Sequence, residues 1–319
     1  MTAFIKAISY ALPNIVVTNQ DLANAFPEWS VDKIAKKVGI TSRHVVSEGQ
    51  CASDLAEQAA NKLFTTYGID KECIDFLLLC TQSPDYFLPT TACLLQDRLG
   101  LSTRCGALDF NLGCSGFVYG LALAKGLIEG RVAQNVLLIT AETYSKHIDK
   151  SDKGNRAIFG DAAAATLVSI DGFAEIGNFD LGTDGSGAAN LMVKSGGMRD
   201  REGAEPLFMN GSEIFGFTLD TVPELVDRVL RKNGLERSSI DLFVFHQANK
   251  YLLENLYDLM EVDVTKTFDW MSEVGNTVSS TIPIALCEAQ KAQRLDGTVL
   301  IAGFGVGYSW GACVLTCKP

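Results

Sequence analysis

The segments IDFLLLCTQ (74–82) and IDLFVFHQ (240–247) lie 166 residues apart and are prefaced alike. An amphipathic helical pattern with a glycine stop precedes each: SDLAEQAANKLFTTYGIDKEC before the first, DTVPELVDRVLRKNGLERSS before the second. Further on, VLLITAE (136–142) parallels VLIAGFG (299–305), 163 residues apart. Each of these leads, across an intervening segment, to another apolar run, AAAATLVSI or GACVLTC. Agreement across helix, strand and next strand at nearly constant spacing predicts a duplication. Short β-rich runs alternating with helices predict parallel sheets covered by helices, in two α/β halves, 1–170 and 171–319, joined near SIDGFAEIG. The Gly- and charge-rich stretch 182–211 reads as a long functional loop.

A chain of 319 residues can bury a large core. With 47% hydrophobic and 20% charged residues it reads as globular, not disordered. No apolar run reaches the roughly 18 residues of a membrane-spanning helix. The opening MTAFIKAISYALPNIVV lacks the basic region and cleavage site of a signal peptide, so a cytoplasmic protein with no membrane partner is expected. The net charge of −11 argues against broad nucleic-acid binding. Nine cysteines, an odd number with no CxxC pair, suit reduced thiols better than a disulfide framework or a zinc site. Each cysteine is by default a small buried hydrophobe.

One cysteine stands apart. In LDFNLGCSGFVYGLALAKGLIEG (108–130) a β-type run meets a glycine knot and then a helical pattern. Cys114 therefore falls at a strand–turn–helix junction, where the helix N-terminus favours a thiolate. It is either an activated nucleophile or an inert cysteine in a glycine-rich turn. Of three histidines, His246 ends the run LFVF, at the carboxyl end of a strand, where open α/β sheets bind ligands. His44 and His147 have polar neighbours and are expected at the surface. Asn276, in SEVGNTVSS, is a turn residue or an amide donor to a developing oxyanion. The stretch GFGVGYSWG (303–311) lacks the P-loop and dinucleotide-binding signatures. It is a backbone N–H donor aimed at a carbonyl oxygen, or a plain hairpin turn.

Together GCSGF around Cys114, IFGDAAAA (158–165), HQAN (246–249), GNT (275–277) and GFGVGYSWG resemble the ketoacyl synthase III family of condensing enzymes. The resemblance spans the chain and implies the duplicated, five-layer αβαβα fold of the thiolase-like superfamily. It implies an acyltransferase in which Cys114 takes an acyl group from acyl-CoA. Malonyl-acyl carrier protein then loses CO2, with His246 and Asn276 stabilising the enolate, and the carbanion attacks the acyl-Cys to start a fatty acid. Backbone N–H groups of Cys114 and Val306 would hold the tetrahedral oxyanion.

By the same resemblance, Trp29, Lys37 and Lys153 fall at or near CoA contacts, with lysine where the family has arginine. Met209, Gly211, Ala248, Phe304 and Leu88 match channel positions, and Leu88 would reach across a homodimer interface. Lys250 and Tyr251 fall where the carrier protein docks, Tyr251 replacing a basic residue. Acyl-CoA is a substrate here, and neither cofactor nor metal is implied. Two alternatives stand beside this reading: a related acyltransferase of a specialised pathway with another acceptor, and a catalytically silent partner subunit.

Overall fold

The structure, a computed structural model, describes residues 1–318 apart from the side chain of Lys37, so the expected contact of that lysine lies outside the described residues. The first half opens with β1 (Phe4–Ala11), the ribbon strand β2 (Ile15–Thr18), helices α1 (Asn19–Ala25) and α2 (Val31–Val38), and β3 (Ser42–Val45), which pairs with β2. It continues with α3 (Ala52–Tyr67), β4 (Phe76–Cys80), α4 (Thr91–Arg98), β5 (Gly106–Phe110), α5 (Gly116–Glu129), β6 (Asn135–Glu142), α6 (Lys153–Ile158) and β7 (Ala162–Ser169). Then come β8 (Ala174–Thr183), the two-residue strands β9 (Leu191–Met192) and β10 (Phe208–Met209), and α7 (Gly211–Asn233). The chain ends with β11 (Leu242–Phe245), α8 (Lys250–Leu259), α9 (Thr281–Lys291), β12 (Gly297–Gly305) and β13 (Ser309–Cys317).

Nine strands are ordered β11-β12-β13-β8-β1-β7-β6-β4-β5, so two arms mirror each other about β8 and β1. The arms touch through only two residue pairs, Phe4↔Glu175 and Ile5↔Ala174. Within each arm the repeated strands pair in parallel, β4 with β6 and β11 with β12. The expected all-parallel sheets are not found: β7 and β13 run antiparallel to their neighbours. Strands β12 and β13 are joined by a short turn, which allows only antiparallel pairing.

Side-chain alternation explains why the strand runs are apolar throughout. Leu77 and Leu79 face α3 and α4, whereas Leu78 faces α5 and α9. In the other arm Phe243 and Phe245 face α7 and α8, whereas Leu242 and Val244 face α5 and α9. A strand buried on both faces has no solvent side to make polar. The result is five layers: α3/α4, one arm, α5/α9, the other arm, α7/α8. Helix α5 is correspondingly apolar all round, as a helix in the middle layer must be. Its Lys125 reaches out to the carbonyls of Ile176 and Gly177.

Two further expectations need correction. The stretch 182–211 is not one loop: it carries the end of β8, a 3-10 turn (Gly185–Asn190), the β9–β10 ribbon and the start of α7. Cys73 and Cys93 are exposed, because each sits on the outer side of a short helical turn and not in a strand. Among the described residues no helix is long and apolar enough to cross a membrane.

Candidate active site

The central helices α5 and α9 both begin at one cavity of about 450 Å³. Cys114, His246 and Asn276 all line it, together with the expected Met209, Gly211, Ala248 and Phe304. Cys114 lies in the turn between β5 and α5, closed by Gly116 N–H donating to Gly113 O at 2.8 Å. The next residue, Ser115, shares a 2.6 Å hydroxyl hydrogen bond with Ser309, and Ser309 Oγ donates to Val306 O at 2.8 Å. The turn that carries Cys114 is thus tied to the β12–β13 turn of the other half. Contact there is close enough to require glycine. A Cβ on Gly305 would lie 3.1 Å from Cys114 Sγ, and one on Gly303 would lie 2.6 Å from Cys114 O. GFGVGYSWG is therefore a hairpin turn and also the wall behind the thiol.

Cys114 is nearly sealed, and burial, with Glu142 adding to it, pushes its thiol up to about 12. The expected thiolate is not the resting form. Cys114 precedes the helix cap, and a helix terminus contributes at most ~2 kcal/mol, less than the cost of charging a buried sulfur. Among the described residues no backbone carbonyl accepts from the N–H of Cys114 or of Val306, and the Cys114 N–H lies against its own sulfur. The Val306 side chain packs into the apolar cluster around Cys114.

His246 follows β11 and is held by its N–H donating to Ala302 O at 2.8 Å. Burial drives its imidazole down to about 3, so it is neutral at physiological pH. Nδ1 lies 2.7 Å from Thr281 Oγ1, which is itself 3.0 Å from Val278 O. The single Thr281 proton decides the tautomer. Given to Val278 O, it leaves Nε2 with a lone pair; given to Nδ1, it makes Nε2 an N–H donor.

Asn276 is clamped by backbone bonds to Ile158 and Gly160, which gives the IFGD motif its structural reason. Its Oδ1 accepts from Val278 N–H at 2.9 Å, leaving the Nδ2 amide protons for the cavity. Val278 is held at φ 55, a left-handed conformation that costs a β-branched residue ~1–3 kcal/mol. Such strain persists only where the surroundings enforce it.

The other expected residues are placed as follows. Trp29 and Lys153 come together, the Lys153 ammonium 5.6 Å from the indole centroid and 2.8 Å from Glu28. Tyr251 stacks on Phe215 along the cavity, ring centroids 5.5 Å apart. Lys250 points away and pairs with Glu254. Leu88 lies outside the cavity and is 86% exposed beside Tyr86 and Phe87. His44 and His147 are half-buried, not surface groups: His44 Nδ1 is 2.6 Å from Pro13 O, and His147 packs edge-on against Tyr144. Missed by sequence reasoning were Thr281, Glu142 and the apolar lining from Ile158, Phe159 and Leu191. Only the position of Thr281, at the start of the helical pattern after GNT, offered a signal.

A family model described as 3-Oxoacyl-[acyl-carrier-protein (ACP)] synthase III matches residues 108–185, and its C-terminal counterpart matches residues 230–317. The beta-ketoacyl-[acyl-carrier-protein] synthase III of Xanthomonas euvesicatoria is 34% identical over 310 residues, 95% of each chain. The chain belongs to the 3-oxoacyl-[acyl-carrier-protein] synthase III family. A crystal structure of a synthase III is 46% identical with a TM-score of 0.97, covering 99% of this chain and 100% of that one. The 3-oxoacyl-(acyl-carrier protein) synthase of Burkholderia xenovorans LB400 is 36% identical with a TM-score of 0.93, covering 100% of this chain and 95% of that one. The family's two matched segments contain Cys114, His246, Asn276 and Val306.

Proposed function

We propose that this synthase III-type acyltransferase joins an acyl group from acyl-CoA to malonyl-acyl carrier protein and so initiates fatty-acid synthesis. The observation that carries it is one cavity holding a thiol, a neutral imidazole and an amide, with two backbone N–H groups behind the sulfur that no backbone carbonyl accepts from. Cys114 Sγ attacks the thioester carbonyl while its proton passes to His246 Nε2, in the tautomer with a free lone pair. The N–H groups of Cys114 and Val306 hold the oxyanion. The C–S bond to CoA then breaks, CoA leaves as a thiol with that proton, and Cys114 is acylated.

Malonyl-carrier protein enters next. The His246 ring first gives up its Nδ1 proton and takes one at Nε2 from solvent, as the Thr281 hydroxyl turns to Nδ1. The malonyl C–CO2 bond then breaks, CO2 leaves, and the electron pair is held as an enolate by Nε2–H of His246 and Nδ2 of Asn276. A neutral imidazole serves here as a donor. The carbanion attacks the acyl-Cys114 carbonyl, the C–S bond breaks, and a proton from solvent restores the thiol. The product is 3-oxoacyl-carrier protein.

The wider expectations enter as part of this proposal. Trp29 and Lys153 contact the nucleotide of CoA, and Phe304, Met209, Gly211 and Ala248 line the channel. The exposed run Tyr86, Phe87, Leu88 supports a homodimer, and the unpaired cysteines support the cytoplasm. The mirrored sheet order supports division into halves 1–170 and 171–319.

A second reading keeps the acylation but changes the acceptor. It is favoured by Tyr251, which offers an aromatic face where a carrier protein's acidic surface would meet a cation. The test is a panel of acyl-CoAs followed by malonyl-carrier protein, with products identified by mass. A 3-oxoacyl product is expected; acyl-enzyme without it would favour the second reading, and no acylation would overturn both.

A further inference from the structure

Glu142, the last residue of β6, is fully buried, and none of its hydrogen-bond partners is a cation. Oε1 accepts from Ser279 Oγ at 3.0 Å. The two oxygens share the Gln82 N–H at 3.2 and 3.0 Å, and Oε2 also accepts from Ser83 Oγ at 3.3 Å. A carboxyl buried among neutral groups resists ionisation, and burial lifts this one to about 8. Proteins seldom keep such a group without a use for it.

Its partners are the functional segments themselves. Gln82 and Ser83 follow β4, and Gln82 Oε1 lies 2.6 Å from where a Cβ on Gly113 would sit, beside Cys114. Ser279 follows the strained Val278, whose N–H fixes the Asn276 amide. Ser280 makes parallel ties to Thr140, its hydroxyl 2.8 Å from Thr140 Oγ1 and 3.1 Å from Thr140 O.

We propose that Glu142 is a positioning residue: through Ser279 it clamps the Asn276 loop to the segment beside the Cys114 turn, and so sets the gap across which the enolate reaches acyl-Cys114. The clamp acts on the second chemical step, because Asn276 belongs to that step and the oxyanion donors of the first step do not hang from Ser279. A neutral amide reproduces it, since Gln accepts from Gln82 N–H and donates to the Ser279 hydroxyl, which can turn to receive it.

This inference rests on the two-step reading above and is tested with full-length E142A, E142Q and S279A. Acylation of Cys114 by acyl-CoA and condensation of the preformed acyl-enzyme with malonyl-carrier protein are timed separately. E142A and S279A are expected to acylate no more than about threefold slower than wild type, E142A being relieved of the carboxyl's effect on the thiol, and to condense about 10²-fold more slowly, the loss typical of a ~1 Å misplacement. E142Q restores condensation to within about tenfold. Amide hydrogen exchange at 276–281 should speed up in S279A and stay near wild type in E142Q.

Equal loss of both half-reactions, or unchanged condensation in E142A and S279A, overturns the clamp. If E142A does not fold, S279A, which removes one hydroxyl, carries the test. Wild type that acylates without condensing counts against the reaction; unchanged exchange in S279A counts against the clamp, and needs no acceptor to be seen.

Discussion

Strands β4 and β11 occupy matching places in the two arms, yet one runs into Thr81-Gln82-Ser83 and the other into His246-Gln247-Ala248. Helices α5 and α9 share the middle layer in the same way: a turn carrying Cys114 precedes the first, and the Asn276 loop precedes the second. The duplicated fold brings the turns before two helices and the end of β11 to one cavity, with the end of β4 beside the Cys114 turn. The first half supplies a sulfur and a carboxyl, the second an imidazole and an amide. In the proposed reaction Cys114 takes the acyl group with His246 and the Val306 N–H assisting, and His246 and Asn276 then hold the enolate, so each step draws on both halves. Neither half holds a complete site.

The sharpest way to break that comparison is to remove the nucleophile. C114A is expected to gain no acyl mass from any acyl-CoA, and CoA release by this variant would overturn the assignment. Removing a donor from the other half should spare acylation. N276A is expected to acylate normally and to lose about 10²–10³-fold in condensation, the cost of one oxyanion donor, measured on the preformed acyl-enzyme. Loss of acylation in N276A would show that Asn276 is not confined to the second step.

The seam between the halves can be probed through glycine. G303A drives a methyl against the backbone of Cys114 and Ser115, so a stability loss of ~1–3 kcal/mol is expected from denaturant unfolding. G305A meets the side chain of Cys114 instead, and should slow acylation more than it destabilises the fold.

Smaller effects come from pH. Burial holds His246 at about 3, below its ordinary 6.5, so the unfolded chain binds a proton there that the folded chain refuses. Its contribution to stability is complete above 6.5 and is lost as pH falls from there toward 3. H246N should therefore lose less stability than wild type between pH 7 and 4.5, by urea unfolding. The condensation rate of wild type should show no break near 6.5 from this histidine. The smallest effect belongs to Lys153, already engaged by Glu28 and Trp29. K153A is expected to raise KM for acyl-CoA up to about fivefold with kcat unchanged, in line with ~1 kcal/mol for an exposed cation–π contact.

The duplication was legible because helix, strand and strand recur in order, and strand periodicity survives burial. The direction of β7 and β13 was not, since an apolar run reads alike in a parallel or antiparallel sheet. Cys114, His246 and Asn276 were legible from the turns that hold them. Their protonation was not: a helix-terminus argument omits the burial that raises the thiol, and this is visible only once β12 packs on Cys114. The meeting of Trp29 with Lys153 depends on how α2 and α6 approach across 124 residues of chain, which no local pattern encodes. Nothing in the sequence singles out Glu142, whose proposed role depends on Ser279 arriving from the other half.

The central claim is that Cys114 carries the acyl group and that His246 and Asn276 are indispensable to the condensation that follows. Intact-mass spectrometry of wild type, C114A and H246A, first with acyl-CoA and then with malonyl-carrier protein, tests it directly. The account predicts acyl mass gained and then lost in wild type, never gained in C114A, and gained more slowly but retained in H246A. Acyl mass on C114A, or discharge from H246A with a 3-oxoacyl product, would contradict it.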